Sequence, residues 1–145
     1  MSDRLYPPRP ILAASIAVFR QARVLLARRA NAPLQGQYSL PGGVVEIGET
    51  LREAALRELM EEVGVEAEII AFNDHIESIA RGADGVETHY VIATFAAIWV
   101  RGEPRISAEA DSVIWASDDD LALLPTTPDL ARIVARASKF VEAAR

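Results

Sequence analysis

Glu58, Glu61 and Glu62 are the residues whose type and spacing first point to chemistry. In a helix, at about 100° per residue, they share an arc of roughly 100° on one face. Like charges three and four residues apart repel, costing roughly 0.2–0.5 kcal/mol per pair. A hard divalent cation offsets that repulsion, because Mg²⁺ takes carboxylate oxygens and retained waters in octahedral geometry. A solvated acidic helix face has the same composition, so the carboxylates alone leave both readings open.

The elements around them are well marked. Thr50 followed three residues later by Glu53 forms a capping box, and Gly64 stands where a C-terminal cap belongs. The spacing therefore predicts a helix over residues 51–63. Leu56, Leu59, Met60 and Val63 should face the core, with Ala54 and Ala55 flanking the carboxylate face. Upstream, Pro41-Gly42-Gly43 reads as a turn between two short strands, 38–40 and 44–45. Its glycines let the backbone bend tightly and approach an ion or phosphate.

Residues 43–65 match the Nudix box position by position. The pattern is filled by Gly43, Glu49, Arg57-Glu58, Leu59, Glu61-Glu62, Gly64 and Val65. Gly36-Gln37-Tyr38-Ser39-Leu40-Pro41-Gly42-Gly43 resembles the family's lead-in, with Tyr38 where Trp is more usual. The chain thus resembles a Nudix hydrolase over most of its length. The resemblance implies an α/β fold, an α/β/α sandwich with a mixed β-sheet and the box helix on one face. It implies metal-dependent hydrolysis of a nucleoside diphosphate linked to another group, with Mg²⁺ or Mn²⁺ as cofactor. Glu58 and Glu62 are then the main metal ligands, with Glu61 beside them for a second ion. A backbone carbonyl comes from Gly42 or Gly43, the choice being open. Glu49 and Arg57 pair as scaffold, since a guanidinium grips a carboxylate with two hydrogen bonds.

Residues 109–115, Glu-Ala-Asp-Ser-Val-Ile-Trp, resemble the family's second acidic region. Glu109 is the first candidate there for a general base and Asp111 the second match, with Glu58 or Glu61 as fallback. A plain charged loop would read the same way. Arg28 and Arg29 end a strand side by side and point to opposite faces, so one of them can reach a phosphate. Tyr38 and His89 are further candidate substrate contacts, and Tyr90 is a candidate base stacker. Two lone histidines, His75 and His89, do not make a zinc site. The pattern outside the box resembles ADP-ribose pyrophosphatase-like members. A MutT-like pyrophosphatase for (oxidised) nucleoside triphosphates is the alternative, and a non-catalytic nucleotide-sensing domain a third reading. That last reading fits poorly with a box that keeps all its carboxylates.

The 145 residues suit one domain, 1–145, with an extended, proline-rich lead-in at 1–10. A net charge of −6 argues against a nucleic-acid polymer or an anionic membrane as partner. With no cysteine, thiol catalysis and thiolate metal sites are excluded. No signal-peptide pattern opens the chain, so a cytoplasmic enzyme acting on a small nucleotide is expected. A homodimer is compatible with the resemblance. Strands are expected at 11–19, 24–29, 66–81, 86–100 and 112–116, a short helix after Ser117, and a last helix opening at Thr127-Pro128 with Leu130, Ile133, Val134, Ala137 and Val141 on its apolar side.

Overall fold

The computed structural model describes residues 4–144. The first three residues of the expected lead-in therefore lie outside the described residues. Strand β1 (Ile11–Arg20) is the middle of a mixed sheet. Seven of its ten residues are buried, as expected of an apolar run covered on both faces. It runs parallel to β6 (Gly85–Arg101) from Ile11–Tyr90 to Phe19–Ile98. On its other side it pairs antiparallel with β2 (Arg23–Arg29) and, further back, with β4 (Gly42–Val44). β3 (Tyr38–Ser39) and β7 (Ala110–Ala116) both pair with β2, and β5 (Glu66–Gly82) forms the far edge beside β6.

Side chains of β1 alternate between two cores, as the strand's period of two requires. Ala14, Ile16 and Val18 meet helix α1 (Leu51–Val63). Ala17 and Phe19 meet helix α3 (Leu130–Ala143) on the opposite face. A short helix, α2 (Asp118–Leu123), follows β7 and is capped by Ser117 and Asp120. The architecture is the α/β/α sandwich that the resemblance implied.

Three expectations need correction. Gly42 and Gly43 do not form a turn but lie within β4, opposite Ser15 and Ala14. A Cβ at Gly42 would overlap the Ala14 carbonyl and Ser15, so glycine is required there by the closeness of two strands. The last helix starts at Leu130, not at Thr127-Pro128. The Thr127 N–H bonds the Tyr38 carbonyl at 3.0 Å and Thr126 bridges to Tyr38, which holds that segment against the sheet. Its apolar side is as expected: Leu130, Ile133, Val134, Ala137 and Val141 are all buried. On α1 the buried residues are Ala54, Ala55, Leu59 and Val63, while Leu56 and Met60 are 38% and 40% exposed. The helix approaches the sheet through its alanines, against Ala14 and Ala93.

Candidate active site

The α1 helix is fixed at both ends and along one side. Thr50 Oγ1 accepts from the Glu53 N–H at 3.1 Å, and Glu53 Oε1 accepts from the Thr50 N–H at 2.9 Å. Gly64 ends the helix in the left-handed region at φ 73°, and its N–H bonds the Met60 carbonyl, a conformation that favours glycine. Arg57 is the lateral anchor. Its Nε and Nη2 grip Glu49 at 2.6 and 2.9 Å, and Nη2 also reaches the Val44 carbonyl at 3.1 Å. Glu49 in turn accepts the Glu46 N–H at 3.0 Å. The guanidinium and that backbone bond hold the Glu49 carboxyl down at about 2. Glu49 and Arg57 thus bind the loop to the helix and the helix to β4.

Arg57 does more than its sequence position indicated. Its Nη1 donates to Glu58 Oε1 at 3.2 Å and to Glu61 Oε2 at 3.0 Å. The spacing to Glu61, one helical turn, was the available signal. Glu61 is 59% exposed at its side chain and engaged by Arg57, whereas the Glu58 side chain is only 12% exposed.

Glu58 and Glu62 close onto β4. Glu62 Oε2 accepts the Gly42 N–H at 3.0 Å. A Cβ at Gly43 would overlap the Glu58 carboxylate, so the second glycine leaves space for a functional side chain. Burial pushes the Glu62 carboxyl up to about 7; Glu109 and Glu58 add to the rise, while the Gly42 N–H and Arg29 oppose it. Glu58 is raised for the same reasons, burial first and then the charge of Glu109, against the pull of Arg57. Glu109, on the loop before β7, is therefore close enough to act on both. Charge from a separate segment thus bears on the two helix carboxylates.

Arg28 and Arg29 part as the strand period predicts. Arg28 Nε donates to Asp111 Oδ1 at 2.6 Å, and that bond raises its pKa. Asp111 is thereby held by Arg28, leaving Glu109 as the late acidic residue at the carboxylates. Arg29 is engaged differently: its Nε donates to the Pro33 carbonyl at 2.8 Å, and its charge pulls the Glu62 carboxyl downward. Tyr38 goes elsewhere: it is 8% exposed in the core beneath α3, its hydroxyl 3.0 Å from Ser112 Oγ. This placement gives it a packing role in place of the expected substrate contact. His89 lies four positions along β6 from Ala93, the residue in register with Ala14, a separation of roughly 13 Å along the strand. That distance, with β1 between, removes His89 from the carboxylates, and Tyr90 lies next to it against Ile11. His75 is on the edge strand beside Asp74 and Glu77.

Two surface grooves lie apart from this cluster. Phe19, Arg20, Gln21, Ile98, Trp99 and Val141 line one, and Ile114, Trp115, Asp120, Leu123 and Leu124 the other. Neither includes a carboxylate of the cluster.

The donor set suits a hard cation. It consists of carboxylate oxygens beside backbone, and two of the carboxyls carry a charge cost from burial and crowding. Among the described residues no three acidic, histidine or cysteine groups cage an ion by themselves. Mg²⁺ fits such a partial set, because it keeps waters and takes substrate phosphates as further ligands. Among the described residues no helix is long and apolar enough to cross a membrane.

The chain is similar to known proteins in sequence and fold. The NUDIX domain family model matches residues 9–137. A relative from Mycobacterium tuberculosis, named putative 8-oxo-dGTP diphosphatase 2, is 36% identical over 107 residues, 72% of each chain. An ADP-ribose pyrophosphatase of Methanocaldococcus jannaschii is 43% identical over 56 residues, 39% of this chain and 33% of that protein. The crystal structure of a MutT NUDIX hydrolase from Burkholderia pseudomallei superposes with a TM-score of 0.78 at 29% identity, covering 88% of this chain and 98% of that one. With the box helix, the glycine strand and the clustered carboxylates in place, the chain belongs to the NUDIX domain family and is a Nudix hydrolase acting on nucleotide derivatives.

Proposed function

We propose that the protein hydrolyses the diphosphate linkage of a nucleoside diphosphate derivative, dependent on Mg²⁺ or Mn²⁺. The observation that carries this reading is the closing of Glu58 and Glu62 onto the glycine strand, with burial and the charge of Glu109 raising both. Glu58 and Glu62 would hold the cation, with a carbonyl of Gly42 or Gly43. When bound, it neutralises phosphate charge and makes water a stronger nucleophile. Glu61 is the candidate for a second ion, although Arg57 competes for its carboxylate.

The chain's own groups supply the rest. Arg29, whose charge acts on Glu62, would meet a phosphate oxygen. Glu109 accepts the proton of the attacking water. Water attacks one phosphorus, the bond to the bridging oxygen breaks, and that oxygen leaves with the other phosphate. Glu49 and Arg57 hold the helix, and Arg57 also orients the Glu58 and Glu61 carboxylates. The reaction takes place on a small nucleotide.

ADP-ribose is the first substrate, as the sequence pattern outside the box suggests. A second reading, pyrophosphohydrolysis of an oxidised purine nucleoside triphosphate, is favoured by a specific observation: the similarity to the M. tuberculosis relative extends over 107 residues, against 56 for the ADP-ribose pyrophosphatase. The test is a panel of ADP-ribose, dinucleotide cofactors, nucleotide sugars, dGTP and 8-oxo-dGTP, with each metal and with EDTA, products separated by chromatography. AMP and ribose phosphate at the highest kcat/KM support the first reading. Nucleoside monophosphate and diphosphate from 8-oxo-dGTP move the function to the second. Turnover that persists in EDTA removes the metal from the proposal, and no turnover of any nucleotide by folded protein removes the function.

A further inference from the structure

Glu109 is not on a helix or strand, so something else must hold it beside the end of β2, where its charge acts on Glu58 and Glu62. Its turn closes on itself: the Ser107 N–H bonds the Ala110 carbonyl at 2.9 Å, and the Glu109 N–H reaches Ser107 Oγ at 3.3 Å. Those bonds shape the turn without fixing where it points. The pairing of β2 with β7 is irregular between Arg28 and Arg29 and reaches its last pair at Arg29–Ala110. Beyond that pair, two hydrogen bonds join the segments. The Ala30 N–H donates to the Glu109 carbonyl at 3.0 Å, and Asn31 Nδ2 donates to the Ala108 carbonyl at 3.1 Å. The first is backbone and independent of residue type. The second depends on an uncharged donor at position 31.

We propose that Asn31 is a positioning residue for Glu109, its amide holding the Ala108–Glu109 peptide so that the Glu109 carboxylate stays near Glu58 and Glu62. The inference rests on the proposed role of Glu109. Asn31 is on the surface and joins two loops at the site, so its loss leaves both cores intact. With Asn31 absent, the turn keeps the Ala30–Glu109 bond and the sheet pair at Ala110, but the Ala108 carbonyl loses its partner at residue 31. A catalytic group displaced by about 1 Å loses as much as a hundredfold in rate, and removing an outer partner of a functional group typically costs about tenfold or more.

The test compares Asn31→Ala and Asn31→Gln, each alone and with Glu109→Gln. The substrate is whichever of ADP-ribose and 8-oxo-dGTP the unaltered enzyme cleaves faster with Mg²⁺. Asn31→Ala is expected to lower kcat about tenfold with KM within about twofold and Tm unchanged, and Asn31→Gln, which keeps the amide donor, to recover most of the rate. In the Glu109→Gln background Asn31→Ala should have no further effect. Hydrogen exchange at residues 107–110 should quicken in Asn31→Ala, a readout that needs no turnover. Normal kcat in Asn31→Ala, multiplied losses in the double variant, or unchanged exchange at 107–110 each overturn the proposal. Normal turnover in Glu109→Gln itself identifies the other failure, that of the role assigned to Glu109.

Discussion

Helices α1 and α3 cover opposite faces of one sheet and are built on different rules. α3 meets its face with Leu130, Ile133, Val134, Ala137 and Val141, all buried. α1 meets its face with two alanines, Leu59 and Val63, and leaves Leu56 and Met60 substantially exposed. Hydrophobic area seats α3. α1 depends more on polar attachments: the Thr50–Glu53 box, the Gly64 cap, and Arg57 reaching Glu49 and Val44. The difference follows from what each helix carries. Small residues bring α1 close to the sheet, and that closeness sets Glu58 and Glu62 against Gly43 and Gly42. A helix standing on large side chains would hold them further from the glycine strand.

The comparison can be broken from either side. The largest effect is expected at the carboxylates. Glu62→Gln should lower kcat by about a thousandfold, as for loss of an electrostatic group at a reacting centre, while Tm without metal stays level or rises. Steady-state kinetics beside a melting curve checks this, and near-normal turnover would remove Glu62 from the proposed metal site. On the other face, Ile133→Ala should cost about 3 kcal/mol through the cavity left in a closed core. Its denaturant midpoint should fall while kcat of the folded fraction is preserved. A large loss of kcat there would show that the two faces are coupled.

A smaller effect concerns pH. Burial raises the folded Glu62 carboxyl from an ordinary 4.5 to about 7, so the folded, metal-free protein binds that proton more tightly than the unfolded chain. The stability it contributes is fully present below about 4.5 and is lost as pH rises through about 7, an effect of about 3 kcal/mol. Melting in EDTA between about pH 5 and pH 8 should show this decline, and Glu62→Gln should flatten it. The smallest effect is expected at Met60→Ala, under about 1 kcal/mol by urea denaturation, because the side chain is 40% exposed. A loss of the size expected for Ile133→Ala would mean that large apolar residues seat α1 after all.

Much of this was legible in the chain, for local reasons. The bounds of α1 follow from Thr50, Glu53 and Gly64, whose side chains or conformational freedom act within a few residues. The apolar side of α3 follows from its period. The split between Arg28 and Arg29 follows from the strand's period of two. The reading failed where distant segments compete. Leu56 and Met60 have the right spacing for a core, but the sheet beneath α1 offers Ala14 and Ala93, and alanines pack closer there. Tyr38 stands in a box-like lead-in, but its neighbours from α3 and β7 take it into the core.

The sequence by itself determined the type of site: its carboxylates, its glycines, the helix that presents them and the family they belong to. Those features are local, and their spacing survives without knowledge of the rest. Only the tertiary structure decided which further residues stand beside them. Glu109 over Asp111, Arg29 over Arg28, and the Asn31 bond to Ala108 depend on how β2 and β7 pair across about eighty residues of intervening chain. No period or cap encodes such a contact, because its energy exists only once the sheet has formed.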